Sequence, residues 1–110
     1  MVYIITTAWY PSHKGVELGK KYLEVLKKYP LSKSPGKLII PVAVSSDKNG
    51  IKVISITEVK DDDAQTFHEA LNWAGSNMVE YISIEGFEYK IRIWTSIQQA
   101  MELVGLKFPG

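Results

Sequence analysis

The segment from Val2 to Trp9 reads as a first strand. Val2, Ile4, Thr6 and Ala8 share one face of a strand, and Tyr3, Ile5, Thr7 and Trp9 the other. Both faces are at least half apolar, which predicts burial on both sides. Tyr10-Pro11-Ser12 breaks the strand, and Ser12 is placed to cap a helix from His13 to Lys28. On that helix Leu18, Tyr22, Val25 and Tyr29 recur at helical spacing, with Leu26 widening the stripe. Glu17 and Lys21, and Glu24 and Lys28, stand in the favourable order for pairs one turn apart. Pro30 ends the helix, and 31–36 reads as a loop.

Two strands follow, at 37–46 and 51–59, joined at Asp47-Lys48-Asn49-Gly50. The Asn-Gly pair predicts a tight hairpin. Pro41 has no amide donor, which places its strand at an edge or a bulge. Asp61, Asp62 and Asp63 open a second helix, where a carboxylate suits the positive end of the helix dipole and one can cap. Its inner stripe is Ala64, Phe67, Leu71, Ala74 and Met78. Gly75-Ser76-Asn77 weakens it, so its end falls between 74 and 81. The fourth strand, Phe87 to Trp94, alternates Phe87, Tyr89, Ile91 and Ile93 against Glu88, Lys90, Arg92 and Trp94. Ser96 and Gln99 form a capping box for a last helix at 97–104, with Gly105 as its stop.

The predicted order is β, α, β, β, α, β, α. This is a ferredoxin-like βαββαβ α+β fold over 1–110, with an extra C-terminal helix at about 96–105. Such a fold makes an antiparallel sheet with both main helices on one face. The other face still carries apolar residues and must meet something: a second copy, a ligand, or the C-terminal helix.

Composition narrows the chemistry. The 110 residues fit one domain. With no cysteine, disulfides, thiolate metal sites, iron–sulfur clusters and a Cys nucleophile are all excluded. A cytoplasmic location is expected, with no membrane span and no leader segment. Residues 1–60 hold ten Lys and four acids, net +6, whereas 61–110 hold three basic residues and eight acids, net −5. A total of +1 makes a poor polyanion binder, although the opposed halves could guide self-association.

No metal and no cofactor is expected. The Asp61–Asp63 run lacks the spacing of a calcium loop, and reads instead as a cap and a solvated charge run. His13 and His68 are isolated along the chain. His68, a general base in chemical type, stands at a helix flank where a solvated ring is the ordinary outcome. Gly15 and Gly19 form no dinucleotide fingerprint. The third strand has no aromatic residue, so nucleic-acid binding through the sheet is not expected. What stands out is the supply of amphipathic rings. Tyr3, Trp9, His68, Trp73, Tyr89 and Trp94 are the candidates for a ligand pocket or an interface. Trp9 and Trp94 end the first and fourth strands on the face expected to lack helix cover.

Over about residues 1–95, the element order, length and doubly apolar sheet resemble the dimeric α+β-barrel superfamily, which includes antibiotic-biosynthesis monooxygenases and muconolactone isomerases. The resemblance implies a homodimer or higher assembly in which two sheets pack face to face, and a pocket between sheet and helices. It carries over no catalytic residue. Haem-degrading members use an Asn on the first strand, and none stands between Val2 and Trp9. Two functions follow: a homodimer that binds a small, partly apolar molecule, with no catalysis indicated, or an oligomerisation domain with no pocket.

Overall fold

A computed structural model describes residues 1–109. The chain forms β1 (Val2–Tyr10), α1 (Gly15–Lys28), β2 (Lys37–Asp47), β3 (Gly50–Val59), α2 (Ala64–Val79), β4 (Glu88–Thr95) and α3 (Ile97–Leu103), with short 3-10 turns at Ser12–Lys14 and Leu31–Lys33. The strands form one antiparallel sheet in the order β2-β3-β1-β4.

β1 is central, which explains its two apolar faces. Ile4, Thr6, Ala8 and Tyr10 are buried on the helix side. Their register partners on β3, Thr57, Ser55, Val53 and Ile51, share that side. Pro41 lies on the edge strand β2, within the register irregularity between Ile40 and Ala43. A residue without an N–H is tolerated there because no further strand needs its donor.

The ends of the elements refine the sequence reading in four places. Ser12 does not cap α1. The 3-10 turn intervenes, and the residue before α1 is Lys14, with no side-chain cap. The hairpin turn is Lys48-Asn49, closed by the pair Asp47 and Gly50, and Asp47 Oδ1 accepts from the Asn49 N–H at 2.7 Å. Gly50, at φ +129°, is needed because a Cβ would lie 2.8 Å from the Tyr10 carbonyl oxygen. Asp63 is the acid that caps α2, accepting from the Thr66 N–H at 3.0 Å. That bond lowers its pKa. Lys28 does not pair with Glu24. Its Nζ reaches Glu80 Oε2 at 3.0 Å, tying the end of α1 to the end of α2.

Two apolar clusters hold the helices to the sheet. Ile4, Val59 and Ala70 form one, packed by Phe67, Leu71, Ala74 and Ile91. Val25, Tyr81 and Ile84 form the other, packed by Leu18, Tyr22, Tyr29, Met78 and Phe87. Tyr81 and Ile84 belong to the connection between α2 and β4, which therefore acts as a wedge beneath α1. Gly86 lets that connection close. Its φ is +83°, and a Cβ would meet the Pro11 ring at 2.6 Å.

α3 starts as its capping residue predicts, with the Gln99 N–H donating to Ser96 Oγ at 3.2 Å. With its side-chain amide oriented by its hydrogen-bond partners, Gln99 also donates to Asp61 Oδ1 at 3.1 Å and to the Met1 carbonyl at 3.2 Å. This ties α3 to the start of β1. Ile97, Leu103 and Val104 remain exposed. No helix of the described residues is long and apolar enough to cross a membrane.

Candidate functional site

Small residues on facing layers leave a gap between α1, α2 and the sheet. Thr6 and Ala8 on β1 and Ser55 on β3 form part of its floor, and Ala70 and Ala74 on α2 part of its roof. The result is a cavity of about 310 Å³, within the range of small-molecule sites. Leu18, Tyr22, Val25 and Leu26 of α1 wall it, as do Trp73 and Met78 of α2 and Tyr81 and Phe87 of the wedge. It reaches the surface between α1 and β2, where the lining residues Leu31, Val42 and Val44 are exposed. Gly19 faces this opening, with nothing within 4 Å of where a Cβ would stand.

The walls are apolar and aromatic. Tyr29 and Trp73 meet edge to face at 5.4 Å, and Tyr81 stacks on Phe87 at 5.3 Å. Polar groups are few: the hydroxyls of Thr6, Ser55 and Thr57 on the sheet, the amide of Asn77, and the tyrosine hydroxyls. Asn77 Nδ2 donates to the Trp73 carbonyl at 2.7 Å, which spends one of its donors within α2. Burial pushes the Tyr81 hydroxyl up to about 12, with Tyr22 and Glu80 adding to the shift. Tyr10 is also raised by burial. Both therefore stay neutral at physiological pH and offer O–H groups that donate or accept. Among the described residues, no Lys, Arg, His, Asp or Glu lines the cavity. No group of three His, Cys, Asp or Glu is placed to hold a metal.

The six ring residues singled out from the sequence are dispersed. Trp73 alone of them lines this cavity. Tyr89 lies on a shallower groove with Tyr29, Leu71 and Glu80. His68 is exposed on α2, its ring edge-on to Phe67 at 5.7 Å. Tyr3, Trp9 and Trp94 lie on the sheet face turned away from α1 and α2, as the strand alternation predicts. Trp9 and Trp94 do not meet: Trp9 pairs with Glu88 and Trp94 with Tyr3, at opposite ends of the ladder. Lys52 stands over the Trp9 ring at 5.8 Å. The Tyr3 hydroxyl is raised by burial first and then by Glu58, its register partner. Tyr22 and the floor hydroxyls escape sequence reasoning because their stripes also read as core. The available signal was the coincidence of small residues on layers that must face each other.

The open sheet face is apolar along its middle. Ile5, Ile54 and Ile56 are only half-buried, and Trp94 is 52% exposed. The chain exposes 7438 Å² in all, whereas a folded monomer of 12.4 kDa exposes about 6,100 Å². Its radius of gyration, 15.8 Å, exceeds the about 13 Å expected of a compact chain this long.

Comparison with known proteins places this architecture. No family model and no curated protein matches the sequence. Solved structures do. One is a candidate antibiotic-biosynthesis monooxygenase from Deinococcus radiodurans, at TM-score 0.54 and 14% identity, covering 87% of this chain and 92% of that one. Another is described as a dimeric ferredoxin-like protein from an uncultured marine organism, at TM-score 0.55 and 18% identity, covering 87% and 94%. The fold is the ferredoxin-like α+β fold. A protein from Agrobacterium tumefaciens agrees, at TM-score 0.53 and 16% identity, covering 89% and 95%. At these identities the ferredoxin-like likeness is one of fold, and function rests on the residues of this chain.

Proposed function

We propose that the chain, acting as one domain in the cytoplasm, forms a homodimer through its open sheet face and binds a small, partly apolar molecule in the cavity of each subunit. The observation that carries the binding half is the cavity itself. It is walled by Trp73, Tyr22, Tyr81 and Phe87, floored by three hydroxyls, and open to the surface between α1 and β2. A packed core closes such gaps, because unfilled apolar space forfeits contact energy. The dimer half is supported by the half-exposed apolar strip from Ile54 to Trp94 and by the excess surface. That excess is about 1,300 Å², comparable to the about 800 Å² per partner that a standard interface buries. It is also supported by the description of one structural neighbour as dimeric. No side chain is assigned a catalytic role.

The test is titration with N-phenylnaphthylamine, an uncharged apolar fluorophore. The expected result is saturable binding of one probe per chain, weakened when Gly19→Leu and Ala74→Leu each put atoms into the cavity. Absence of binding, or binding that ignores both substitutions, would leave an oligomerisation domain without a pocket as the reading.

A further inference from the structure

We infer that the ligand is an uncharged ring compound carrying a hydroxyl or carbonyl group at one edge. This rests on the cavity being a binding site, and goes further by stating the chemical class it takes.

The first ground is electrostatic. Among the described residues, no ionisable side chain other than tyrosine lines the cavity. An anion entering it would lose its water and meet no cation, and a cation would meet no carboxylate. Beside the Tyr29 wall stand Lys28 and Glu80. They satisfy each other at 3.0 Å, with the Lys28 ammonium 5.6 Å from the Tyr29 ring. Nor do the rings make a box for a quaternary ammonium. Tyr81 spends a face on Phe87, and Trp73 meets Tyr29 edge to face.

The second ground is the position of the polar atoms. Thr6 and Ser55 are register partners across β1 and β3, and Thr57 pairs with Ile4 one step along the same face. Thr6 is only 7% exposed. No hydrogen bond from the Thr6, Ser55 or Thr57 hydroxyl to another group of the described residues is found. The floor hydroxyls are therefore free to serve a ligand. A hydroxyl both donates and accepts, so this row suits a neutral oxygen function. Apart from Asn77 and the tyrosine hydroxyls the wall above it is apolar, and an aromatic ring gains most from stacking or edge contact with Trp73, Tyr22 and Phe87.

Competition against bound N-phenylnaphthylamine tests this, using naphthalene, naphthol, naphthoate and a naphthyl trimethylammonium. Naphthol is expected to displace the probe at the lowest concentration. Naphthoate and the ammonium compound should need at least about tenfold more. In the Thr6→Val and Ser55→Ala variants, the advantage of naphthol over naphthalene should shrink. The wild-type series stands by itself if a variant folds poorly. Naphthoate or the ammonium compound matching naphthol would overturn the inference while leaving the cavity a binding site. Failure of wild-type protein to bind the probe at all would overturn both.

Discussion

Tyr3 and Trp94 stand directly opposite one another across the β1–β4 ladder, on the face of the sheet turned away from α1 and α2. Neither is fully buried, and α3, tied to Met1 and Asp61, leaves Trp94 half exposed. An isolated exposed ring is ordinary, but this pair continues into Ile5, Ile56 and Ile54. The strip is what a second sheet would cover.

The wedge between α2 and β4 carries a pH dependence. Tyr81 is 5% exposed, and its hydroxyl is pushed from 10.0 to about 12 by burial. A raised pKa means that the neutral form is favoured in the folded state. Its stabilisation is fully present below pH 10, and is lost as pH rises toward and past 12. The shift corresponds to about 2–3 kcal/mol. Denaturant melts from pH 8 to 12 should show this loss, and Tyr81→Phe should flatten most of it.

Two glycines predict opposite outcomes. Gly19 lies within α1 with open space where a Cβ would go. Gly19→Ala should stabilise the fold by about 0.5–1 kcal/mol through helix propensity. Gly86 has positive φ and the Pro11 ring in the way. Gly86→Ala should destabilise by more than about 1 kcal/mol. Thermal unfolding of the two variants checks both signs.

The core and the exposed histidine separate in the same way. Ile4 is 2% exposed in the cluster with Val59 and Ala70. Ile4→Ala should cost about 2–5 kcal/mol. His68 is exposed and lies outside the cavity lining. His68→Ala should change stability by no more than about 0.5 kcal/mol and leave probe binding intact. Loss of binding in that variant would place a working His where the geometry puts none.

Much of the fold was legible because its signals are local and mutually consistent. The two apolar faces of β1, the alternation in β4, the stripe of α1, the Asp61–Asp63 and Ser96 caps and the Asp47–Gly50 turn all point to one element order. What was misread depends on neighbours distant in sequence. Lys28 prefers Glu80 to Glu24 because the wedge brings the two helix ends together. Ser12 loses its cap role to a 3-10 turn. The cavity was not legible because Leu18, Tyr22 and Val25 form the same stripe whether a helix packs on the sheet or stands off from it. Only the juxtaposition of Thr6, Ala8 and Ser55 with Ala70 and Ala74 decides that, and it exists only once the layers are stacked.

The most direct test of the account is solution mass by light scattering, for the wild type and for Trp94→Glu. The account predicts a wild-type mass of about 25 kDa, twice the 12.4 kDa chain, falling to the chain mass in the variant while circular dichroism stays unchanged. A wild-type protein at the mass of one chain, or a variant that keeps the dimer, would contradict the placement of the interface on the open sheet face.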